Sequence, residues 1–356
     1  MAFEQNQDVN GVAARLGIST EAVQLTRDAE VIDLHLDTFI PVRLVGYDPF
    51  ARHAQTWLRG HAFGHLDLPR AADAGLTGGM WSITTNPFRS AAGRWKTFEK
   101  NLARMHDLIA SSAGKMQLAR TRSEYAAARA ANAHACMLAV QGGNCFDAAP
   151  DGVLSVSDRE ITRVTVVHLT NSVLGTTSSP MSSLRRSKGL TERGRRFVEQ
   201  LDEARVFVDL AHVHPDGFWD AVDAHDRSIP LIDTHTGVVG AKPHWRNLDD
   251  RQLKAIADTG GTVGIIFSAF FLEGDHGHRD GQMIVEHMQH VIDVVGEDFV
   301  SIGSDYDGAI IPPKELRSGD SYPRLVQAML DRKWSEPRIR KVLGENFLRA
   351  FALLRP

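Results

Sequence analysis

Eight short apolar runs, alternating with segments of helical spacing, set the tightest limit on how this chain can fold. The runs are Val31 to Asp37, Leu76 to Ile83, Cys136 to Gln141, Thr162 to His168, Val206 to His212, Leu231 to His235, Thr262 to Ser268 and Val300 to Asp305. Between most of them apolar residues recur three and four positions apart, as at 98–109, 190–204, 248–258 and 284–295. Continuous apolar runs suit strands buried on both faces, and a helix after each strand makes the strands parallel. Eight such units predict an α/β fold, a single (β/α)8 TIM-like barrel, with its active site at the C-terminal ends of the strands. A doubly wound open sheet has the same alternation. It would more naturally carry a Gly-rich phosphate loop after an early strand, and none follows here.

No repeat, low-complexity tract or Pro/Ser-rich linker divides the 356 residues, so 1–356 read as one barrel domain. Residues 1–28 are expected to form an N-terminal helical extension. Residues 42–70, with Trp57, His61 and His65, are longer than an ordinary connection and read as an elaborated first βα loop. The end, W-S-E-P-R-I-R-K-V-L-G-E-N-F-L-R-A-F, predicts one or two closing amphipathic helices. A formal charge of −4 over this length creates no field that would draw nucleic acid or an anionic membrane. No run approaches the roughly 18 apolar residues of a membrane span. The opening M-A-F-E-Q-N-Q-D-V-N-G has neither the basic nor the apolar region of a secretion signal. Cys136 and Cys145 imply no disulfide framework. A cytoplasmic protein acting on a small molecule or peptide is the expectation.

The chemistry sits where the apolar runs stop. In V-I-D-L-H-L-D-T, His35 and Asp37 are two positions apart, and residues i and i+2 of a strand share a face. Four further runs end in a group that could bind metal or move a proton: His168, His212, His235 and Asp305. In a parallel barrel these ends meet at one rim. Histidines and carboxylates without cysteines suit zinc or a similar divalent ion, and six groups exceed one tetrahedral site. A centre of two ions roughly 3.5 to 4 Å apart, working in metal-assisted hydrolysis, is one reading. Taken singly, His212 could equally be a core histidine with Asp209 or Asp233 as its partner, and Asp307 reads as opening a turn with Gly308. His276 and His278, in E-G-D-H-G-H-R-D, read as a solvated loop.

Several segments, in order, resemble the membrane dipeptidase (renal dipeptidase) family of zinc peptidases within the amidohydrolase superfamily. They are H-L-D-L-P-R (65–70), G-G-M-W-S (78–82), V-D-L-A-H (208–212), G-S-D-Y-D-G (303–308) and G-E-N-F-L-R (344–349), and the likeness runs from about residue 30 to 350. The resemblance implies hydrolysis of small dipeptides by a metal-activated water. It makes His35 and Asp37 ligands of a first zinc, His212 and His235 ligands of a second, and Asp305 a carboxylate that binds metal and handles the catalytic proton. His168 would steady the substrate's carbonyl oxygen, and Arg246, in K-P-H-W-R-N, would receive its C-terminal carboxylate.

One position departs from that pattern. Where the family has a glutamate bridging both metals, this chain reads V-Q-G-G, with Gln141. A neutral amide offers one carbonyl oxygen in place of two anionic ones, and so offsets less of the repulsion between two dications. The expected cofactor is therefore Zn2+, one or two ions, with the second weakened. On ligand charge, His35, Asp37 and Asp305 would keep the first. A different small amide or lactam as substrate stays open, as does a non-catalytic binding protein with a metal centre weakened at Gln141. A homodimer is the open alternative to a single chain.

Overall fold

The structure, a computed structural model, describes residues 8–54, 62–156, 159–184, 186–273 and 280–356. Trp57, His61, His276 and His278 lie outside the described residues. Nine strands are present among those described: β1 (Ile32–Leu36), β2 (Gly78–Thr84), β3 (Met116–Leu118), β4 (His134–Gln141), β5 (Ile161–Thr165), β6 (Phe207–Asp209), β7 (Ile232–Thr236), β8 (Thr262–Ile265) and β9 (Val300–Ile302). β2 pairs with β4 and β9 returns to pair with β1, so eight parallel strands close on themselves. Helices follow them around the outside, and the fold is the (β/α)8 barrel that the alternation predicts.

The ninth strand is the addition. β3 pairs only with the first residues of β4, from Met116 opposite His134 to Leu118 opposite Cys136, below the level at which β5 joins at Leu138. M-Q-L is too short to stand out as a run, and only the neighbouring β4 makes it a strand.

The eight expected strands are all found, but several ladders stop short of the expected ends. β5, β6 and β9 each end three residues before His168, His212 and Asp305 respectively. At two of these the reason is the backbone. His212 (φ 67°) and Asp305 (φ 62°) are left-handed, a conformation no extended strand can continue through.

The helices use ordinary local signals. Glu192–Glu203 starts where Thr191 accepts a hydrogen bond from the Gly194 N–H, and it buries Phe197, Val198 and Leu201 against the barrel. Asp250–Asp258 begins with a capping box between Asp249 and Gln252. Before β1 come helices Val9–Leu16 and Thr20–Asp28, and the first βα connection contains helices Phe39–Val45 and Leu68–Asp73. The closing segment is two helices, Glu336–Arg340 and Asn346–Leu354, joined by one π-helical turn, Lys341–Glu345. A side chain at Gly344 would put its Cβ 2.4 Å from the Glu30 carbonyl oxygen, so only glycine lets that turn rest on the chain entering β1. Both cysteines are buried and unbridged. Among the described residues no helix is long and apolar enough to cross a membrane.

Candidate metal centre

Side chains from six strand ends converge at the C-terminal mouth of the barrel. Nε2 of His35, on β1, lies 3.6 Å from Asp37 Oδ1 and 3.8 Å from Asp305 Oδ1. Asp305 is brought there by its left-handed backbone, with its N–H donating to the His35 carbonyl (3.1 Å). The preceding Gly303 is required for the approach, because a Cβ there would stand 1.7 Å from the Thr234 carbonyl oxygen. Across the mouth, Nε2 of His212 is 2.8 Å from Nε2 of His235. The His168 ring stands edge-on to His212 with centroids 4.7 Å apart, and the His35 and His235 rings are 3.8 Å apart. Gln141, the last residue of β4, reaches between the two halves: its Nε2 is 3.5 Å from His212 Nε2, and its side chain also meets His35. Arg246 is buried beside this group, donating from Nη2 to the His235 carbonyl at 2.5 Å.

Burial dominates the electrostatics. It raises the Asp37 carboxyl to about 6. It raises Asp305 well above the usual carboxylate range, and the nearby Asp37 charge adds to the rise. It lowers His168 to about 4 and pushes His35, His212 and His235 well below the usual imidazole value, so all four rings are neutral at pH 7. Neutral imidazoles beside carboxyls that resist sharing one space are a set that a cation relieves.

The unsatisfied atoms point the same way. Asp37 Oδ1, Gln141 Oε1 and His212 Nδ1 are buried and make no hydrogen bond among the described residues. His35, Asp37 and Asp305 present ligand atoms within 4.8 Å of one another. Nitrogen and oxygen donors without thiolate suit zinc or another borderline divalent ion, so the residues fit such a metal. A second group, His35 with Asp209 and His235, is equally compact. Asp209 is spoken for, however. Its oxygens accept from Thr165 Oγ1 (2.6 Å), Thr234 Oγ1 (2.8 Å) and the backbone N–H groups of Ala211 and Thr234, and it pairs with Arg163 at 3.2 Å.

The comparisons with known proteins bear on this arrangement. The family model described as membrane dipeptidase, peptidase family M19, matches residues 19–354. The chain belongs to the membrane dipeptidase family. An uncharacterised protein from the pqqA 5' region of Klebsiella pneumoniae is 31% identical over 258 residues, covering 70% of this chain and 93% of that protein. Among solved structures, dipeptidase AC, a metallopeptidase of family M19, is 27% identical, covers 92% of this chain and 98% of its own, and has a TM-score of 0.78. A metallopeptidase from Rhodobacter sphaeroides, bound to a phosphinate mimic of the dipeptide L-Ala-D-Ala, is 26% identical, with the same coverage and a TM-score of 0.77. This chain is a metallopeptidase of the dipeptidase type, and its family acts on dipeptides with the help of a metal.

For this dipeptidase-family chain, several groups around the centre go beyond the sequence reading. Asp307 does more than open a turn. Fully buried, it accepts from Thr38 Oγ1 (2.6 Å) and the His65 N–H (2.9 Å), and its own N–H donates to His65 Nδ1 (2.9 Å), tying the H-L-D-L-P-R segment to the loop that carries Asp305. Asp33 accepts from the Ser304 N–H (2.9 Å) and the Tyr322 hydroxyl (2.6 Å), fixing β1 to β9 just below His35. Neither Asp209 nor Asp233 bonds the His212 ring, contrary to the core-histidine reading. Arg163 was the least expected. Its one available signal is an arginine inside a run, I-T-R-V-T-V-V-H, that reads as buried on both faces.

Proposed function

We propose that this metallopeptidase cleaves small dipeptides by a metal-activated water at the mouth formed by His35, Asp37, Gln141, His212, His235 and Asp305, with zinc as the ion. The convergence of these buried side chains, three of them with an unsatisfied atom, carries the reading. These residues would hold a divalent ion, which would supply Lewis acidity towards the scissile carbonyl and lower the pKa of the attacking water. Asp305 takes the proton of that water and delivers it to the departing amine as the C–N bond breaks. Its Oδ1, 3.8 Å from His35 Nε2, stands at the mouth where both steps take place. His168, neutral and buried, donates an N–H to the carbonyl oxygen as charge builds on it. Arg246 receives the substrate's C-terminal carboxylate. Its Nε is a buried donor with no acceptor among the described residues, and a carboxylate would supply one.

The test is a panel of dipeptides offered to the zinc-loaded chain, with and without prior chelation. Because the Rhodobacter sphaeroides relative holds a mimic of L-Ala-D-Ala, the panel should pair each L,L-dipeptide with its L,D-isomer. Hydrolysis that chelation stops and zinc restores is expected. No hydrolysis of any member by the zinc-loaded protein would refute the assignment.

Arg246→Ala should raise KM for dipeptides with a free C-terminal carboxylate by about 10- to 100-fold, the loss of one charge-assisted pair. Residual turnover of the C-terminally amidated analogues should hardly change. Equal losses on both would make Arg246 a structural residue.

Metal analysis after dialysis should find one zinc per chain. Gln141 supplies a dipole where a bridging carboxylate would supply a full charge, and two dications a few ångströms apart repel strongly. Two tightly held ions in the unmodified protein would overturn this stoichiometry.

A further inference from the structure

Arg163 is a fully buried guanidinium on β5 that reaches the floor of the metal centre, and the chemistry above gives it no part. Its Nε makes no hydrogen bond among the described residues, and its Nη1 and Nη2 groups serve two sides. Nη1 donates to Thr165 Oγ1 (2.6 Å) and pairs with Asp209 Oδ2 at 3.2 Å. Nη2 donates to Ser82 Oγ (2.8 Å) and lies 3.0 Å from Nδ1 of His35. A guanidinium has no lone pair to offer, so Nδ1 of His35 is the acceptor in this contact. The other neighbour of Nδ1, Thr234 Oγ1 at 3.4 Å, is already engaged by His235 and Asp209. A neutral imidazole has one acceptor nitrogen and one N–H. The His35 proton therefore sits on Nε2, the nitrogen that faces Asp37 and Asp305.

A histidine ligand needs the opposite arrangement: a lone pair towards the ion, and the other ring N–H donated to an oxygen behind it. His235 has it. Its Nδ1 is 2.9 Å from Thr234 Oγ1, whose own proton goes to Asp209 Oδ2 at 2.8 Å, so Nδ1 donates and Nε2 keeps its lone pair. Without an ion the His212 Nε2–H donates into that lone pair at 2.8 Å, but His212 Nδ1 has no partner among the described residues, so nothing behind the ring opposes moving its proton there when an ion takes the place of that contact. The charges agree. Arg163 offsets the Asp37 and Asp305 carboxylates on the His35 side, which weakens their pull on a second cation.

We propose that Arg163 is a built-in cation of this centre that holds His35 in the tautomer unable to bind metal through Nε2, and so confines the tightly held ion to the His212–His235 side. This rests on the reading that the cluster binds a divalent ion. It reverses the order expected from ligand charge, in which His35, Asp37 and Asp305 would hold the ion more firmly. Arg163 acts through His35 and is a positioning residue.

Nitrogen NMR of the histidine-labelled chain reads the tautomer directly, with the His35 signals assigned by their loss in His35→Gln. In the metal-free protein His35 should show an unprotonated Nδ1 and a protonated Nε2. One equivalent of zinc should move the His212 and His235 signals and leave His35 in place. An unprotonated Nε2 on His35, or a His35 signal that moves with the first equivalent, would overturn the proposal. In equilibrium dialysis, Arg163→Met should tighten the second equivalent of zinc by about 10- to 100-fold, the usual weight of a group behind a metal ligand. Unchanged binding by the folded variant would count against the proposal. If the loss of the Asp209 partner unfolds Arg163→Met, the spectrum of the unmodified chain still decides. A chain that takes up no zinc refutes the metal reading and this proposal together, recognisable because no histidine signal moves at all.

Discussion

Replacing Asp305 by asparagine is expected to lower turnover of a dipeptide by about 10²- to 10⁴-fold, the usual weight of a positioned proton acceptor, while the barrel stays folded. The two side chains are nearly isosteric. Asparagine is also among the few residues that accept the left-handed backbone found here, φ 62°, so the substitution adds no strain of its own. The loop is held from outside the carboxyl group, by the Asp305 N–H to the His35 carbonyl and by Asp307 to Thr38 and His65. What is lost is a carboxyl oxygen 3.8 Å from His35 Nε2 and with it the ability to take up and release a proton. The measurement is kcat and KM for a dipeptide together with the thermal midpoint. Near-normal turnover by a folded Asp305→Asn chain would remove Asp305 from the chemistry.

The second large effect concerns stability, at the opposite end of the barrel. Arg355 is fully buried and donates to four backbone carbonyls: Arg205 (2.5 Å), Arg159 (2.6 Å), Ile161 (2.8 Å) and Arg120 (3.3 Å). These carbonyls lie at or before the starts of β5 and β6 and ahead of the helix Arg122–Ala130, so one guanidinium ties three chain segments together. Burial lowers its proton affinity to about 10, which still leaves it charged at neutral pH. Arg355→Ala leaves those acceptors without their donor and should cost about 3–5 kcal/mol in urea unfolding, since hydrogen bonds to a charged group contribute about 1.5–3 kcal/mol each and do not simply add. A loss below about 1 kcal/mol would show that water replaces the guanidinium at no penalty. Activity of the folded fraction should be unchanged, because the site is at the other rim.

The architecture was legible in the chain because it rests on local periodicity. A run such as Cys136 to Gln141 is apolar on both faces, and a helix such as Asp250–Asp258 carries its own cap, so each element is specified by its own residues. Once eight such units are read, the parallel barrel follows, and with it the rim at which His35, Asp37, His168, His212, His235 and Asp305 gather. Elements that draw their structure from neighbours were not legible. β3 is three residues that become a strand only against β4. The early ends of β6 and β9 come from left-handed residues that no propensity signals.

The same division runs through the site. Its residue types and positions could be read from strand ends, because chain order in a parallel barrel decides which ends share a face. The electrical character of the site could not. It depends on which nitrogen of His35 meets Arg163, on Asp209 being consumed by Thr165, Thr234 and Arg163, and on Gln141 lying between the two halves. Those contacts join β1, β4, β5, β6 and β7, and Arg163 and His35 are separated by 128 residues in sequence. Hydrogen-bond direction and desolvation are properties of the assembled interior, where a few tenths of an ångström and the loss of water decide which atom donates. The sequence by itself determined the barrel and the kinds of group at its mouth; only the closed tertiary structure decided how those groups share protons and charge.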